Sequence, residues 1–219
     1  MSIQANIHKF KEELGEDVTL VAVSKTKPVS DIMQAYEAGQ RVFGENKVQE
    51  MEAKWSEMPK DIQWHMIGHV QRNKVKYMAP FVSLIEAVDS KRLLKEVNKQ
   101  AKKNERTIRC LLQIKIAEED SKFGLSTEEA KELLASDTFK EYKNVSVVGL
   151  MGMATFTDNE AQLRSEFSKL KRLFDDFSKT HPAFEILSMG MSGDYKIAIE
   201  EGSNMVRVGS AIFGERDTH

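Results

Sequence analysis

The stretch EILSMGMSGDYKIAIEEGSNMVRVG, Glu185–Gly209, decides the fold. It opens with an apolar run that predicts a strand over Glu185–Ser188, and small residues then lead into a helical pattern over Tyr195–Glu200. It closes with a second predicted strand, Met205–Gly209. A strand, a helix and a strand in this order indicate a βαβ unit, whose two strands run parallel.

The same alternation of strand and helix patterns extends over the rest of the chain. The other predicted strands are Val18–Ser24, Arg41–Gly44, Gln63–Ile67, Phe81–Ala87, Ile108–Ile116 and Val145–Met151. The other predicted helices are an opening one, roughly Ile3–Leu14, and Ser30–Ala38, Lys47–Glu57, Gln71–Met78, Lys91–Asn104, Thr127–Ala135 and Asn159–Lys179. Ser126 is the predicted cap of the helix that follows it, and Asp158 is the predicted cap of the long helix.

Eight predicted strands in 219 residues leave about 27 residues for each strand–helix unit, which suits a βα repeat. A parallel sheet of this size closes into a barrel or stays open as a doubly wound sheet. The strand count favours closure, and so does the lack of a glycine-rich dinucleotide fingerprint after the first strand. We therefore predict an α/β fold, a single-domain (β/α)8 TIM-type barrel with an extra N-terminal helix, over residues 1–219.

Composition excludes several classes of protein. The chain has 32 Lys and Arg against 34 Asp and Glu, a balance that argues against a general nucleic-acid binder. A single cysteine, Cys110, builds neither a disulfide framework nor a Cys-rich metal site. The first residues lack the apolar core of a signal peptide, and no apolar run is long enough to span a membrane. We expect a cytoplasmic protein that binds neither nucleic acid nor membrane.

Chemistry in such a barrel belongs at the C-terminal ends of the strands, so the polar residues there are the candidates. The first strand runs on into Lys25, and strand alternation places Val21, Val23 and Lys25 on one face. Lys25 is then either a surface lysine that extends to water or a desolvated amine able to form a Schiff base.

Asn46 and His65 follow or end the next two strands. Asn46 either caps the helix after it or lines the barrel mouth. His65 and His69 are four residues apart, as in a metal pair, but His65 lies in a strand and no further ligand is near in sequence. A hydrogen-bonding role for His65 in the barrel mouth is the favoured interpretation.

The seventh and eighth strands carry the strongest signal, because loops after these strands commonly bind phosphate in this fold. The backbone amides of Ser192, Gly193, Gly209 and Ser210 are predicted to point at one phosphate, with a helix N-terminus near Asp194 adding partial positive charge. The alternative is two ordinary turns of small residues. Arg207 shares a face with Met205 and Gly209, so it points into the same mouth, to pair with a carboxylate or to contact a ligand.

Six short blocks, in order, resemble the pyridoxal phosphate homeostasis proteins, also called the YggS/PROSC family. They are AVSKTKP (Ala22–Pro28), FGENKVQE (Phe43–Glu50), WHMIGHVQRNK (Trp64–Lys74), SKFGL (Ser121–Leu125), LSMGMSGD (Leu187–Asp194) and VRVGSAIFG (Val206–Gly214). Ser210 replaces a more usual Thr and keeps the hydroxyl. The resemblance implies a barrel like the N-terminal domain of alanine racemase.

The resemblance also implies the cofactor pyridoxal 5′-phosphate (PLP), held as a covalent aldimine on Lys25. The implied cofactor-binding residues are Lys25, Asn46, His65, Ser188, Met191, Ser192, Gly193, Arg207, Gly209 and Ser210, with no catalytic residue and no metal. Arg207 would face the pyridine nitrogen, and Ser192 with the Gly209–Ser210 turn would hold the phosphate. A permanent cation at that nitrogen disfavours its protonation and so weakens carbanion chemistry.

The function implied is a carrier that holds PLP and acts in intracellular vitamin B6 homeostasis without significant catalysis, with apo PLP-dependent enzymes as possible recipients. We expect it to be a monomer, and we expect no second domain of the kind that completes a racemase. Two alternatives remain open. One is a PLP-dependent amino-acid racemase of the alanine racemase type, and the other is a phosphate-binding barrel that acts on a sugar or nucleotide phosphate without PLP.

Overall fold

The computed structural model describes residues 1–120 and 123–215 and contains a closed barrel of parallel strands in sequential order. The strands are β1 (Thr19–Val23), β2 (Val42–Glu45), β3 (Gln63–Met66), β4 (Leu84–Val88), β5 (Ile108–Gln113), β6 (Val145–Met151), β7 (Ile186–Met191) and β8 (Met205–Val208). β8 pairs with β1 and closes the barrel. The predicted α/β barrel is confirmed.

The helices surround the barrel, and a 3₁₀ turn at Arg72–Lys74 precedes α4. They are α1 (Ile3–Leu14), α2 (Val29–Glu37), α3 (Val48–Glu57), α4 (Val75–Met78), α5 (Lys91–Lys103), α6 (Thr127–Ala135), α7 (Asp137–Lys140), α8 (Glu160–Ser178), α9 (Tyr195–Glu200) and α10 (Ser210–Phe213). The extra N-terminal helix is confirmed as α1, and the side-chain amide of its Asn6 donates to the Ile212 carbonyl of α10 at 2.9 Å. Among the described residues, none of the helices is both long enough and apolar enough to cross a membrane.

Two apolar clusters follow from strand alternation, since successive side chains point to opposite faces of the sheet. A small cluster fills the barrel interior and includes Val21, Leu84 and Leu111. A much larger one lies between the sheet and the helices and includes Trp64 and Phe167, both fully buried. Burial on both faces is why the strands read as nearly continuous apolar runs.

The helix starts were predicted correctly in one case and wrongly in another. Ser126 forms a capping box with Glu129, as its sequence signature indicates. The cap of α8 is Asn159, whose side chain accepts from the Gln162 amide, so the prediction of Asp158 was wrong by one residue. The short helices α7 and α10 were not predicted, because four residues are too few to establish a helical period.

Gly149 in β6 lies against the backbone of β7, where a Cβ would overlap the Ile186 carbonyl oxygen. We expect Gly149→Ala to lower the free energy of unfolding by about 2–3 kcal/mol, because the methyl group would push two paired strands apart. Urea unfolding checks this. The control is Gly193→Ala, where nothing lies within 4 Å of the added Cβ and a change below about 0.5 kcal/mol is expected. Equal stability of the two variants would contradict the argument.

Candidate functional site

The carboxyl ends of the parallel strands meet at one end of the barrel, which we call the mouth. The register pairs Met191 of β7 with Arg207 of β8, and Arg207 with Val21 of β1. Val23 of β1 pairs in turn with Gly44 of β2. The residues that follow these pairs therefore lie side by side on one arc of the mouth. This arc contains most of the candidate residues.

Lys25 follows β1 and is half-buried. The preceding residue, Ser24, is fully buried, and its hydroxyl donates to Glu45 Oε1 at 2.9 Å on the helix side of the sheet. Because successive residues of an extended chain face opposite ways, Lys25 leaves the strand on the barrel side. The structure thus places Lys25 at the mouth.

The loops after β7 and β8 contact each other. The Gly209 amide donates to Ser192 Oγ at 3.3 Å, which joins the two segments predicted to share one phosphate. Within the described residues, the amides of Gly193 and Ser210 have no hydrogen-bond acceptor, and the space beside the Gly193 Cα is open. Such amides are suited to bind a phosphate oxygen.

The contribution expected from a helix N-terminus is smaller than predicted. α9 does begin after Asp194, as predicted, but it has six residues, and α10 has four. Helices this short have a weak macrodipole. The Asp194 carboxylate, moreover, accepts from the Met191 amide at 2.7 Å. These loops therefore offer an anion individual backbone amides rather than the N-terminus of a long helix.

Asn46 lies directly after β2 and does not cap α3, because the cap residue is Lys47 and no side chain bonds to the helix start. The backbone of Asn46 is held by Gly68, which follows β3. A Cβ at Gly68 would lie 2.5 Å from the Asn46 carbonyl oxygen, so only glycine permits this approach. This contact holds the backbone of Asn46 at the mouth, and the residue is half-buried there.

Arg207 lies inside the barrel, with 3% of its surface exposed. Its Nη1 donates to Ser188 Oγ at 2.5 Å, and its Nη2 donates to the Gly152 carbonyl at 3.0 Å. The Ser188 hydroxyl donates onward to Glu86 Oε1 at 2.5 Å. Of the two roles left open for Arg207, the structure shows the pairing with a carboxylate, and Ser188 is the fully buried link in it.

His65 is not at the mouth, as the sequence analysis favoured, but deeper in the barrel. Its Nδ1 lies 2.9 Å from Glu86 Oε2, and the residue lines a cavity of about 290 Å³ at the opposite end of the barrel, with Thr19, Gln63 and Leu84. The reason is register: His65 is an interior residue of β3, paired with Gly44 and Leu84. Hydrogen bonds therefore link His65 to Arg207 through Glu86 and Ser188.

Glu86 is the centre of this buried chain and was missed in the sequence analysis. Burial alone would raise its pKa, but the hydrogen bond and charge of His65, the charge of Arg207 and the hydrogen bond from Ser188 together lower the pKa of Glu86 below its usual value. Burial lowers the pKa of Arg207, opposed by the charges of Glu86 and Asp194, and a guanidinium stays protonated regardless. The barrel interior thus holds a carboxylate and a guanidinium, 3.8 Å apart.

A second buried ionic cluster lies behind Lys25, on the helix side of β1 and β2. Lys54 of α3 donates from Nζ to Glu45 Oε1 at 2.5 Å, to Glu50 Oε1 at 2.8 Å and to the Ser24 carbonyl at 2.8 Å. The other Glu45 oxygen, Oε2, is buried and has no hydrogen-bond partner among the residues that the structure describes. Burial raises the pKa of Glu45 to about 7, against the opposing charge and hydrogen bond of Lys54.

The raised pKa of Glu45 predicts a pH dependence of stability. The folded protein keeps a proton on Glu45 that the unfolded chain releases above about pH 4.5, so the free energy of unfolding falls as pH rises through about 7. One such group contributes at most about 1.4 kcal/mol per pH unit. We expect Glu45→Gln to flatten the curve between pH 5 and 7, as urea unfolding would measure. If the plots of unfolding free energy against pH ran parallel for the variant and the unaltered protein, the raised pKa of Glu45 would be contradicted. The control is Glu57→Gln, on the exposed end of α3.

Aromatic side chains lie on the rim. The His69 ring stacks on Phe123 with centroids 4.2 Å apart, and His69 Nδ1 lies 2.6 Å from Asp89 Oδ2. Phe123 belongs to the loop after β5, and its carbonyl accepts from the Gln113 side chain at 3.0 Å. Ser121 and Lys122 of that loop lie outside the described residues.

The sequence is similar to proteins of known name along nearly its whole length. Residues 1–217 match the protein family described as alanine racemase, N-terminal domain. The pyridoxal phosphate homeostasis protein of Vibrio alginolyticus is 39% identical over 232 aligned positions, which cover 99% of this chain and 98% of that protein. The human protein of the same name is 42% identical over 212 positions, covering 90% of this chain and 76% of that protein.

A solved structure is also similar. PipY of Synechococcus elongatus, determined with PLP bound, superposes with a TM-score of 0.89 at 31% identity. The match covers 97% of this chain and 100% of that one. The two proteins are therefore similar in sequence along their whole chains, and not only in the barrel fold.

Proposed function

The chain belongs to the alanine racemase N-terminal domain family and, within it, to the pyridoxal phosphate homeostasis proteins, and on that premise we propose that it holds PLP covalently on Lys25 and serves intracellular PLP homeostasis without significant catalysis of its own. The observation that carries the proposal is the position of Lys25 at the mouth, directly after strand β1, which pairs with the strand that bears Arg207. Residues 1–219 are proposed to form a single PLP-binding domain.

The residues at the mouth fit the chemistry of PLP. The ligand has an aldehyde, a phosphate and a ring nitrogen, and when bound it supplies an aldehyde carbon that condenses with a primary amine with loss of water. Lys25 provides the primary amine. The Gly193 and Ser210 amides and the Ser192 hydroxyl can donate to phosphate oxygens, and the Gly209 amide holds the Ser192 hydroxyl beside them.

Arg207 is proposed to face the ring nitrogen, which it would keep unprotonated because a neighbouring cation disfavours a second positive charge. Ser188 and Glu86 hold its guanidinium in place. An unprotonated ring is a weak electron sink, so this arrangement favours holding the cofactor over chemistry at an amino-acid Cα. Asn46 and Met191 are proposed to line the pocket beside the ring, while Ser188 and His65 act through Arg207.

PLP is the proposed small-molecule partner, and apo PLP-dependent enzymes are the proposed recipients. We further propose a cytoplasmic monomer. A single buried thiol, Cys110, is consistent with a reducing compartment. Curated relatives named for PLP homeostasis support the role, since one of them matches this chain over 98% of its own length.

Transfer of the cofactor tests the proposed function. PLP-loaded protein, freed of excess ligand, is mixed with an apo PLP-dependent enzyme, and the recovery of that enzyme's activity is followed. We expect activation at a rate above that given by buffer from the same gel filtration. Loaded Lys25→Ala protein is the control, and we expect it to carry too little PLP to activate the recipient. Failure of the loaded protein to activate any apo-enzyme would contradict a carrier role.

A racemase is the second candidate, favoured by the match to the alanine racemase N-terminal domain family. The loaded protein is incubated with L-alanine and other amino acids in deuterated water. Exchange at Cα or appearance of the D-isomer above the level of free PLP would favour the enzyme. The proposed carrier shows neither.

A further inference from the structure

The residue proposed to hold the cofactor sits in a tight turn, Ser24–Lys27, which we call the β1 turn. The Lys27 amide donates to the Ser24 carbonyl at 3.1 Å and closes the turn. Thr26, its third residue, has φ of 63°, and the described residues include one other non-glycine residue with positive φ, Glu105. Positive φ at the third position of a turn ordinarily requires glycine.

Threonine is poorly suited to this conformation, because its β-branched side chain crowds the backbone at positive φ. A strained residue of this kind persists only where its surroundings hold it. The strained residue, Thr26, directly follows Lys25 in the sequence.

Two side chains of α3 hold the β1 turn, one on each side of Lys25. Glu50 Oε1 accepts from the Thr26 amide at 2.6 Å, and Lys54 Nζ donates to the Ser24 carbonyl at 2.8 Å. Glu50 and Lys54 are one helical turn apart and pair with each other at 2.8 Å. We call this pair the clamp.

The clamp is anchored in buried charge. The Lys54 side chain is 8% exposed, and its third hydrogen bond goes to Glu45 Oε1 at 2.5 Å. An ammonium group has three donors, so all of them are used. Lys54 therefore cannot turn away without losing its hydrogen bond and its charge interaction with the buried Glu45. This fixes the position from which the clamp contacts the β1 turn.

We propose that Glu50 and Lys54 are positioning residues that hold the strained β1 turn, so that the Lys25 amine is presented to the aldehyde of PLP at the mouth. The inference rests on the proposed function, because it takes Lys25 as the attachment residue. Without the bond to Glu50, Thr26 relaxes to negative φ and the turn carries Lys25 away from the mouth. Because Thr26 is strained at positive φ, the turn has two discrete conformations, one with positive and one with negative φ at Thr26. The clamp selects the conformation with positive φ.

The test measures the fraction of Lys25 that PLP occupies at a fixed, subsaturating concentration, trapped by borohydride and quantified by peptide mass spectrometry. We expect Glu50→Ala to lower the attachment constant about tenfold, which corresponds to about 1.4 kcal/mol. Thr26→Gly should attach PLP nearly as well as the unaltered protein. The double variant, Glu50→Ala with Thr26→Gly, should recover most of the loss, because glycine adopts positive φ without strain. Glu57→Ala, on the exposed end of the same helix, is the matched control.

The rescue separates positioning from mere structural support, because glycine at Thr26 restores no contact that Glu50 made. Attachment unchanged in Glu50→Ala overturns the clamp, and so does a loss that Thr26→Gly fails to recover. If Glu50→Ala does not fold, Glu50→Gln serves instead, since its amide oxygen still accepts from the Thr26 amide but its charge is gone. An intermediate loss of PLP attachment in Glu50→Gln, again recovered by Thr26→Gly, supports the clamp. Unaltered protein that carries no PLP on Lys25 overturns the proposed function and the clamp together, whereas the other outcomes concern the clamp alone.

Discussion

Lys25→Ala protein is expected to lose PLP during gel filtration, whereas the unaltered protein leaves the column with PLP bound and with visible absorbance. The reason is that the amine of Lys25 provides the only proposed covalent bond, and the loop amides and Arg207 alone hold the ligand reversibly. The measurement is the ratio of PLP to protein in the eluted peak. We expect a ratio near one for the unaltered protein and a ratio below about one-tenth for the variant, because reversibly held PLP dissociates on the column.

Lys25→Arg is the matched control for this experiment. Arginine keeps the positive charge and much of the length of lysine but has no primary amine that condenses with an aldehyde. Its PLP ratio should be as low as that of Lys25→Ala. Retention of PLP by both variants would show that covalent attachment at this position does not hold the ligand.

Glu86→Ala is expected to lower the free energy of unfolding by about 3–5 kcal/mol, because removal of one partner leaves a buried charge without compensation. The stranded group is the Arg207 guanidinium, which is 3% exposed. Ser188 and His65 also lose their shared hydrogen-bond partner. Urea unfolding of the protein without cofactor measures the change, which is a large part of the stability of an ordinary domain.

Two further variants make the Glu86 result interpretable. Glu86→Gln keeps the shape and one acceptor oxygen but removes the charge, so its cost should fall between those of Glu86→Ala and the unaltered protein. Glu185→Ala removes the acid of an exposed pair with Arg109, and surface pairs contribute less than about 1 kcal/mol. A Glu86→Ala variant no less stable than Glu185→Ala would contradict the buried charge network.

The barrel was predictable because strand and helix patterns alternate without interruption. Helices α1, α6 and α9 and strand β6 have their predicted bounds, and most other elements shift by one or two residues at an end. Strand β4 begins at Leu84 rather than at Phe81, since Phe81–Ser83 form the connection after α4. Periodicity identifies an element reliably, whereas its ends depend on caps and on pairing with neighbours.

The candidate site was predictable only in part. Alternation gives the face of a side chain but not its depth along the barrel axis, which depends on the register between strands. His65 was therefore predicted to lie too close to the mouth, although the prediction that its side chain points into the barrel was right. Glu86 had a signal that could have revealed it, since a carboxylate among the apolar residues of Leu84–Val88 must be paired if the strand is buried. The clamp had no such signal, because its partners lie on separate elements.

The central claim is that PLP attaches to one particular lysine at the mouth of the barrel. Loaded protein is reduced with borohydride, digested, and its peptides are sequenced by mass spectrometry. The account predicts the reduced cofactor on Lys25, in the peptide that follows β1, at a stoichiometry near one. A modification concentrated on another lysine, or spread over many surface lysines with Lys25 unmodified, would contradict it.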